Sequence, residues 1–247
     1  MALLTRARGK PSPPRDAEAR MSIIEHLEAL RRALIISIAA WTVCAIVAWF
    51  FTNDVLTFIR HRANLSEIVY LSPTEAFMIR LKVALYVGLV AGAPIVFWQL
   101  WWFVSPGLYR HEKRIVLPLI GATTFFFLTG VAFALFSLPL IMRVLTGFAP
   151  PDFRFLPSGS ELISFVLTLV LMFGLVFEMP VILWTLGMLR IISSRWLYKN
   201  HAYWIVGLGL LANLMTPGAD PLTPLLAWVP LVVFWEGTAL LLKLTGR

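Results

Sequence analysis

Six long apolar runs, separated by short polar segments, dominate this chain of 247 residues. In lipid an α-helix satisfies its own backbone hydrogen bonds, and about 20 apolar residues cross the hydrocarbon core. Hydrophobic residues make up 59% of the chain and the mean hydropathy is +0.82, so little is left for a soluble domain. We therefore predict an all-α, polytopic integral membrane protein with six transmembrane helices, near 33–51, 77–103, 115–146, 162–189, 202–215 and 222–241.

The fifth run is too short to cross a bilayer unaided. At 1.5 Å per residue, a helix over 202–215 reaches about 21 Å, against a hydrocarbon core of about 30 Å. The turn that follows, 216–221, is short and contains two prolines. We predict that spans five and six form a tight hairpin recessed into the bilayer, with thinned membrane beside it.

The distribution of positive charge predicts the orientation. Fifteen of the 21 lysines and arginines lie before span one, in the segments 104–114 and 190–201, or in the C-terminal tail. The opposite loops hold only four. Because positive residues stay on the cytoplasmic side, both termini are predicted to be cytoplasmic.

The chain is expected to have three parts. Residues 1–21 are basic and contain three prolines, which predicts a disordered extension. Residues 22–242 form the membrane domain, and residues 243–247 a short cytoplasmic tail. Ser22 and Glu25 have capping-box spacing before an apolar periodicity, so an amphipathic helix is predicted at the cytoplasmic interface before span one.

Two outer segments contain the S-x-x-E spacing of a helix capping box. One pairs Ser72 with Glu75, and the other pairs Ser158 with Glu161. Both glutamates are therefore predicted to cap the helices that follow them.

Arg80, Lys82 and Glu178 are ionisable residues that lie inside the apolar runs. Arg80 and Lys82 are at the start of span two, where their long side chains can reach the outer interface; a role in a substrate pathway is the alternative. Glu178 lies deep in span four, where a charge is costly, so it is either a functional group or hydrogen-bonded to a neighbouring helix. Pro180 predicts a kink beside it. The single cysteine, Cys44, is interpreted as apolar filler.

Two further acids lie near cytoplasmic basic residues. Glu28 precedes Arg31 and Arg32 by about one helical turn, which favours an intrahelical salt bridge. Glu112 is either part of a solvated charge cluster or a docking carboxylate for a cationic ligand, since it is flanked by Arg110, His111, Lys113 and Arg114.

The remaining acids have modest interpretations, and no catalytic pattern is present. Glu236 lies close enough to the end of span six to sit among headgroups, and Asp220 can cap that span. The four histidines show no metal-ligand spacing, and we find no hydrolase, phosphate-loop or metalloprotease motif. We therefore predict no enzymatic activity and no cofactor.

Several motifs, taken together and in order, resemble TatC, the multispanning subunit of the twin-arginine protein translocase. The resemblance covers essentially all of residues 21–242. The matching motifs are E-H-L-E-A-L-R-R at 25–32, L-S-P-T-E at 71–75, F-V-S-P-G-L-Y-R-H-E-K-R at 103–114, F-G-L-V-F-E-M-P at 173–180, and T-P-G-A-D with A-W-V-P-L-V-V-F-W-E within 216–236.

The resemblance implies a glove-like bundle with a concave face in the cytoplasmic membrane of a bacterium or archaeon. It implies a receptor for folded precursors whose signal peptides carry two consecutive arginines. Guanidinium groups pair bidentately with carboxylates, which agrees with that role. The positions that match the family's signal-peptide site are His26, Leu30, Arg31, Phe103, Pro106, Leu108 and Glu112.

The resemblance also implies partners. Single-span subunits of the TatA and TatB type would bind along spans five and six, at Thr216, Pro217, Asp220 and Glu236, and the receptor would self-associate. Glu178 matches the family's span-four glutamate and would line the concave face. The proton-motive force would drive transport, and no nucleic acid is expected as a partner.

This chain departs from the family pattern in two places. The family has a glutamate immediately before the leucine of H-L-x-E-L-R, whereas this chain has Ala29 there and Glu28 one residue earlier. One residue rotates a helical side chain by about 100°. Either Glu28 reaches the same pocket, or Glu112 acts alone. The second departure is Thr223-Pro224, where many relatives have Ser-Gln.

Two other classes of protein remain possible from the residues alone. A small secondary transporter or channel would use Glu178 as a proton or cation site, although no inverted repeat is apparent. An intramembrane enzyme would need a nucleophile and a base, and no such pair stands out.

Overall fold

The computed structural model describes residues 23–65, 67–105, 116–148, 150, 156–216 and 222–246. Within these ranges the protein is helical, and its only β-type contact is an isolated bridge between Val69 and Ser158. The helices are α1 (Ile23–Phe50), α2 (Thr52–Arg62), α3 (Glu75–Val104), α4 (Val116–Gly147), α5 (Gly159–Val176), α6 (Met179–Met188), α7 (Ser194–Lys199), α8 (His201–Met215) and α9 (Leu222–Leu244).

The predicted all-α membrane fold is confirmed. Five stretches are long and apolar enough to cross a membrane: α1, α3, α4, α5 together with α6, and α9. The sixth apolar helix, α8, has 15 residues, which gives a length of about 22 Å. The shortness of the fifth run is therefore confirmed, while the count of six spans stays a prediction.

The N-terminal helix differs from the prediction. We expected an interfacial amphipathic helix followed by a separate span, but α1 continues from Ile23 to Phe50 without a break. The predicted cap at Ser22 lies outside the described residues. The segment contains neither proline nor glycine, so nothing in its sequence interrupts the backbone hydrogen bonds.

Helices α1 and α3 pack closely because α3 has small residues at the contact. A Cβ added at Gly88 would lie 2.5 Å from the Cα of Ala45. Trp41 fixes the same contact, since its Nε1 donates to the carbonyl of Leu85 at 2.8 Å. Cys44 is a free, half-buried thiol in this interface, consistent with its interpretation as filler.

The predicted kink in span four is confirmed as a break between α5 and α6. The two helices are separated by Phe177 and Glu178. Pro180 lies in the first turn of α6 and has no N–H to donate to the carbonyl of Val176, four residues earlier. The chain therefore leaves regular helical bonding one turn before the proline.

Helices α4 and α5 form the tightest backbone contact of the core. A Cβ at Gly130 would overlap the carbonyl of Phe173 and lie within 3 Å of the Cα of Gly174. Gly174 in turn packs against the ring of Phe127. In lipid, helix association depends on such close packing of small residues, because the hydrophobic effect does not drive helices together there.

Glu75 joins two segments at the α2 end, by which we mean the end formed by α2 and by the N-termini of α3 and α5. Its Oε2 accepts from the backbone N–H groups of Leu71 at 2.6 Å and Ser72 at 3.3 Å. Its Oε1 accepts from the Ser158 hydroxyl at 2.9 Å and the Ser160 N–H at 2.7 Å. One buried carboxylate therefore caps α5 and holds the segment that precedes α3. None of its donors is an N–H of the first turn of α3, so the prediction that Glu75 caps α3 is wrong.

The prediction that Glu161 caps α5 is wrong. Ser158 is at the N-cap position, but its hydroxyl bonds to Glu75 and makes no capping bond, and Glu161 is exposed. The bridge between Val69 and Ser158 connects the segment before α3 to the start of α5, next to Glu75. A carboxylate 85 residues away along the chain supplies the acceptor for the Ser160 N–H instead.

Arg80 and Lys82 both have partners within the bundle. Arg80 is exposed, and its Nη2 donates to Oδ1 of Asn53 on α2 at 2.6 Å, in agreement with a side chain that extends towards the α2 end. Lys82 is half-buried, and its Nζ donates to the Ser164 hydroxyl at 2.8 Å. Both cations thus connect helices.

Candidate functional site

An open groove lies between the N-terminal half of α1 and the C-terminal end of α3. Its volume is about 580 Å³. The α1 wall carries two acids and one arginine, and the α3 wall carries aromatic rings and an amide. The residues that line this α1–α3 groove are Glu25, Glu28, Ala29, Arg32, Ala33, Ile36, Trp98, Gln99, Trp102 and Phe103.

The groove is anchored by a ring contact between its two helices. The imidazole of His26 stacks on the ring of Phe103, with centroids 4.4 Å apart and planes 24° apart. These residues are 77 positions apart, and both were assigned to one site only through the family resemblance. The structure therefore brings together two of the predicted site residues.

Glu28 and Ala29 line the same groove, which bears on the departure from the family pattern. Although a step of one residue turns a side chain by about 100°, the groove is wide enough to take both positions. Within the described residues Glu28 shows no hydrogen bond or ion pair, so the salt bridge to Arg31 or Arg32 expected from the sequence is absent. Arg31 is exposed and lies outside the groove lining.

Leu30, a further position from the resemblance, is half-buried and outside the groove lining. The remaining predicted residues of the signal-peptide site are Pro106, Leu108 and Glu112. All three lie outside the described residues. They belong to the segment between the end of α3 at Val104 and the start of α4 at Val116.

Glu178 lies at the break between α5 and α6 and is 6% exposed. Its Oε1 is buried and has no hydrogen-bond partner among the described residues, while the carboxyl group lies close to the backbone of Phe127 on α4. The α4–α5 backbone contact is one turn away. A polar atom buried without a partner is destabilising. That Glu178 is a functional group stays a prediction.

The predicted partner contacts on α8 and α9 fall into two groups. Thr216 is buried, and its hydroxyl donates to the carbonyl of Ala212 at 2.6 Å. Glu236 is half-exposed and pairs with His201, with 2.8 Å between Oε1 and Nε2. Pro217 and Asp220 lie outside the described residues.

A second hydrogen bond connects α8 and α9. Trp228 on α9 donates its Nε1–H to the carbonyl of Ile205 on α8 at 3.0 Å. Together with the His201–Glu236 pair, this bond holds the short helix against α9 near its first turns. The side of α8 that faces away carries the exposed apolar residues Tyr203, Val206, Leu210 and Leu214.

Sequence reasoning missed several groove residues. Glu25 and Arg32 were read only as a cap and an ion-pair partner, and Trp98, Gln99 and Trp102 were not singled out. Their spacing carries the signal: residues 25, 28, 29, 32, 33 and 36 form one helical face, and residues 98, 99, 102 and 103 form another. Polar and aromatic residues on such faces at the end of a span indicate a site.

Fold and site together define a multi-pass helical membrane protein with an open, polar and aromatic groove at one end of its spans. In the described part of the chain, no three His, Cys, Asp or Glu side chains are grouped as a metal site would require.

Comparisons with known proteins identify the family. The family model of the Sec-independent protein translocase protein (TatC) matches residues 25–230. Sec-independent protein translocase protein TatC of Aquifex aeolicus is 36% identical over 234 residues, which is 92% of this chain and 97% of the relative. The TatC protein of Carboxydothermus hydrogenoformans is 35% identical over 226 residues, 90% of this chain and 93% of the relative.

Solved structures agree. A crystal structure of the twin-arginine translocase receptor TatC in DDM is 35% identical, has a TM-score of 0.78, and is matched over 88% of this chain and 99% of that one. A second TatC crystal structure gives a TM-score of 0.77. The chain belongs to the TatC family. It is a subunit of the Sec-independent, twin-arginine translocase, a transport component and not an enzyme.

Proposed function

We propose that this TatC subunit binds twin-arginine signal peptides of folded precursors at the α1–α3 groove, on the cytoplasmic face, and nucleates the translocation complex. Both termini are cytoplasmic in this proposal, because most of the positive charge lies at the groove end of the spans. The observation that supports it most directly is the groove itself, with Glu25 and Glu28 beside two tryptophans.

The chemistry of the groove suits arginine side chains. A carboxylate accepts two parallel N–H groups from a guanidinium, and a guanidinium also stacks on aromatic faces. Glu28 supplies a carboxylate, while Trp98 and Trp102 present exposed rings on the facing helix. A lysine ammonium neither pairs bidentately with a carboxylate nor stacks as a planar group, so the α1–α3 groove favours arginine. Glu112, with Pro106 and Leu108, would complete the site from the adjoining segment.

Partner subunits of the TatA and TatB type are proposed to bind along α8 and α9. The exposed apolar side of α8 offers a surface for a single-span helix, and an apolar groove of about 610 Å³ runs along it between Trp196 and Leu211. Glu236 lies at the end of this surface that is on the side of the α1–α3 groove. Pro217 and Asp220 would lie at the opposite end. Transport is proposed to be driven by the proton-motive force, and the subunit to self-associate in the receptor complex.

Replacing Glu28 is expected to weaken signal-peptide binding. The change Glu28→Gln keeps the size of the side chain and removes its charge. Glu28 is exposed, so its ion pair with the peptide would be screened by water. We therefore expect binding to weaken only about fivefold. The measurement is titration of a fluorescent twin-arginine peptide into the detergent-purified protein, with Glu67→Gln at the α2 end as the matched control.

A twin-lysine peptide serves as the second arm of that experiment. It should bind the wild type about tenfold more weakly, since bidentate pairing and stacking are lost. Equal affinity of the wild type and Glu28→Gln would remove Glu28 from the site. Equal affinity for the arginine and lysine peptides would remove the proposed mode of recognition altogether.

Glu178→Ala is expected to reduce export of a twin-arginine reporter by about tenfold, which corresponds to about 1.4 kcal/mol, because it removes the carboxyl group from the break between α5 and α6. The assay is export in cells that lack their own TatC, at matched protein levels. Leu175→Ala, on the exposed side of the same span, is the control. Export at wild-type level by Glu178→Ala would contradict a transport role, and export by Glu178→Gln would show that ionisation is not required.

A further inference from the structure

A second polar pocket lies at the α2 end, far from the α1–α3 groove along the spans. It has a volume of about 360 Å³ and is enclosed by α2, the segment 65–74, α3 and the start of α5. Its floor is apolar and includes Ile68 and Ile79. Its polar lining consists of Asn53, Thr57, Arg60 and Tyr70. Neither the family comparison nor the proposed signal-peptide site involves this pocket.

The polar lining offers hydrogen-bond donors that the protein does not use. Arg60 is half-buried and makes no side-chain hydrogen bond or ion pair with any described residue. The hydroxyls of Thr57 and Tyr70 are likewise unpaired among those residues. Asn53 accepts from Arg80 at its Oδ1, so its amide N–H groups are left to donate. A half-buried guanidinium without an acceptor is unfavourable unless a ligand or water supplies one.

The charge of the pocket selects an anion. No acidic residue is among the described residues that line it. Glu75, the buried acid at this end, has both oxygens occupied by four donors. Arg80 adds a second positive charge through its bond to Asn53. Planar guanidinium donors beside hydroxyl donors match the oxygen atoms of a phosphate.

The position of the pocket identifies the source of that phosphate. α2 follows directly on α1, so the pocket lies at the end of the apolar spans, at the level where headgroups begin. Large apolar side chains at the α2 end are exposed, including Phe51, Phe58, Leu71 and Phe77, which indicates lipid contact at this level. We infer that this pocket binds the phosphate of a phospholipid, held by Arg60 with Tyr70, Thr57 and Asn53.

The test is lipid retention by the full chain, purified in detergent, stripped of lipid and titrated with phosphatidylglycerol under native mass spectrometry. Arg60→Gln should weaken binding about tenfold, the effect of one charge-assisted hydrogen bond. Arg62→Gln is the matched control, because Arg62 is on the same helix, exposed, and outside the pocket. Diacylglycerol, which lacks the phosphate, should bind the wild type no better than it binds Arg60→Gln.

Two further variants keep the test valid if Arg60→Gln does not fold. Arg60→Lys retains the charge but not the planar donors, and Tyr70→Phe removes one hydroxyl; each should weaken binding about threefold. Equal losses for Arg60→Gln and Arg62→Gln would overturn the proposal in favour of general surface charge. Binding of diacylglycerol to the wild type as tightly as phosphatidylglycerol would overturn it too, because the phosphate would then contribute nothing. Displacement of the lipid by millimolar inorganic phosphate would assign the pocket to free phosphate and overturn the lipid assignment.

Discussion

Gly130→Ala is expected to destabilise the protein by about 2–3 kcal/mol, the upper part of the range for overpacked cores. The added methyl group would overlap the carbonyl of Phe173 and the Cα of Gly174. These are backbone atoms of a buried helix, so no side-chain rotation relieves the contact. α4 and α5 must therefore move apart, and their van der Waals contact is the main force that associates helices in lipid.

Gly121→Ala is the matched control for that change. Gly121 is on the same helix, and a Cβ there would meet no described heavy atom within 4 Å. Alanine has the higher helix propensity, so this variant should be neutral or more stable by up to about 1 kcal/mol. The two substitutions are chemically identical, but only Gly130→Ala should destabilise the protein. Thermal unfolding in detergent, followed by tryptophan fluorescence, measures both.

Gly130→Ala should also impair export more than its stability loss explains. The contact of Gly130 with Phe173 and Gly174 is one helical turn before Glu178. Separation of α4 from α5 would therefore change the surroundings of that buried carboxyl group. Unfolding temperatures that are equal for Gly130→Ala and Gly121→Ala would show that the helices tolerate the methyl group and would contradict this account of the core.

Glu75→Ala is expected to release the two segments that meet at the α2 end. The change leaves three backbone N–H groups and one hydroxyl without their acceptor, and two of these groups belong to the first turn of α5 or its cap. We expect a decrease of the unfolding temperature on the order of 5 °C. Hydrogen exchange should increase in peptides covering 67–74 and 156–164, because these amides lose protection.

Glu161→Ala is the matched control for Glu75→Ala. The sequence presents the two residues alike, each at the end of an S-x-x-E motif, but Glu161 is exposed and the Ser158 hydroxyl bonds to Glu75 instead. Glu161→Ala should leave exchange in both peptides unchanged. If hydrogen exchange in both peptides stays slow in Glu75→Ala, the backbone bridge between Val69 and Ser158 is sufficient to hold the α2 end without the carboxylate.

The motifs recognised in the sequence indicated two residues of the α1–α3 groove but not the rest of its lining. The resemblance placed His26 and Phe103 in one site, and the structure stacks their rings. It did not indicate that Trp98 and Trp102 form the facing wall, because these residues belong to an apolar run and resemble lipid-facing residues. The residues alone indicate an ion pair for Glu28, and only the resemblance makes it a candidate for the pocket, since neighbours along a helix are visible in sequence and neighbours across two helices are not.

The helical class, the short α8 and the break at Pro180 follow from the residues alone, because each depends on local properties. In lipid every backbone group must bond within its own segment, so a run of apolar residues has few alternatives to a helix. A missing N–H at Pro180 interrupts that bonding whatever surrounds it. These features therefore need no knowledge of which helices are neighbours.

The partner of each polar side chain depended on how the helices pack. Glu75 reaches Ser160 across 85 residues, His201 reaches Glu236 across 35, and Gly130 meets Phe173 on the next span. No periodicity encodes such pairs, because the apolar faces that bring helices together are nearly uniform in composition. Small residues and a few buried polar groups select one packing among many, and they acquire their roles only when the helices are in contact.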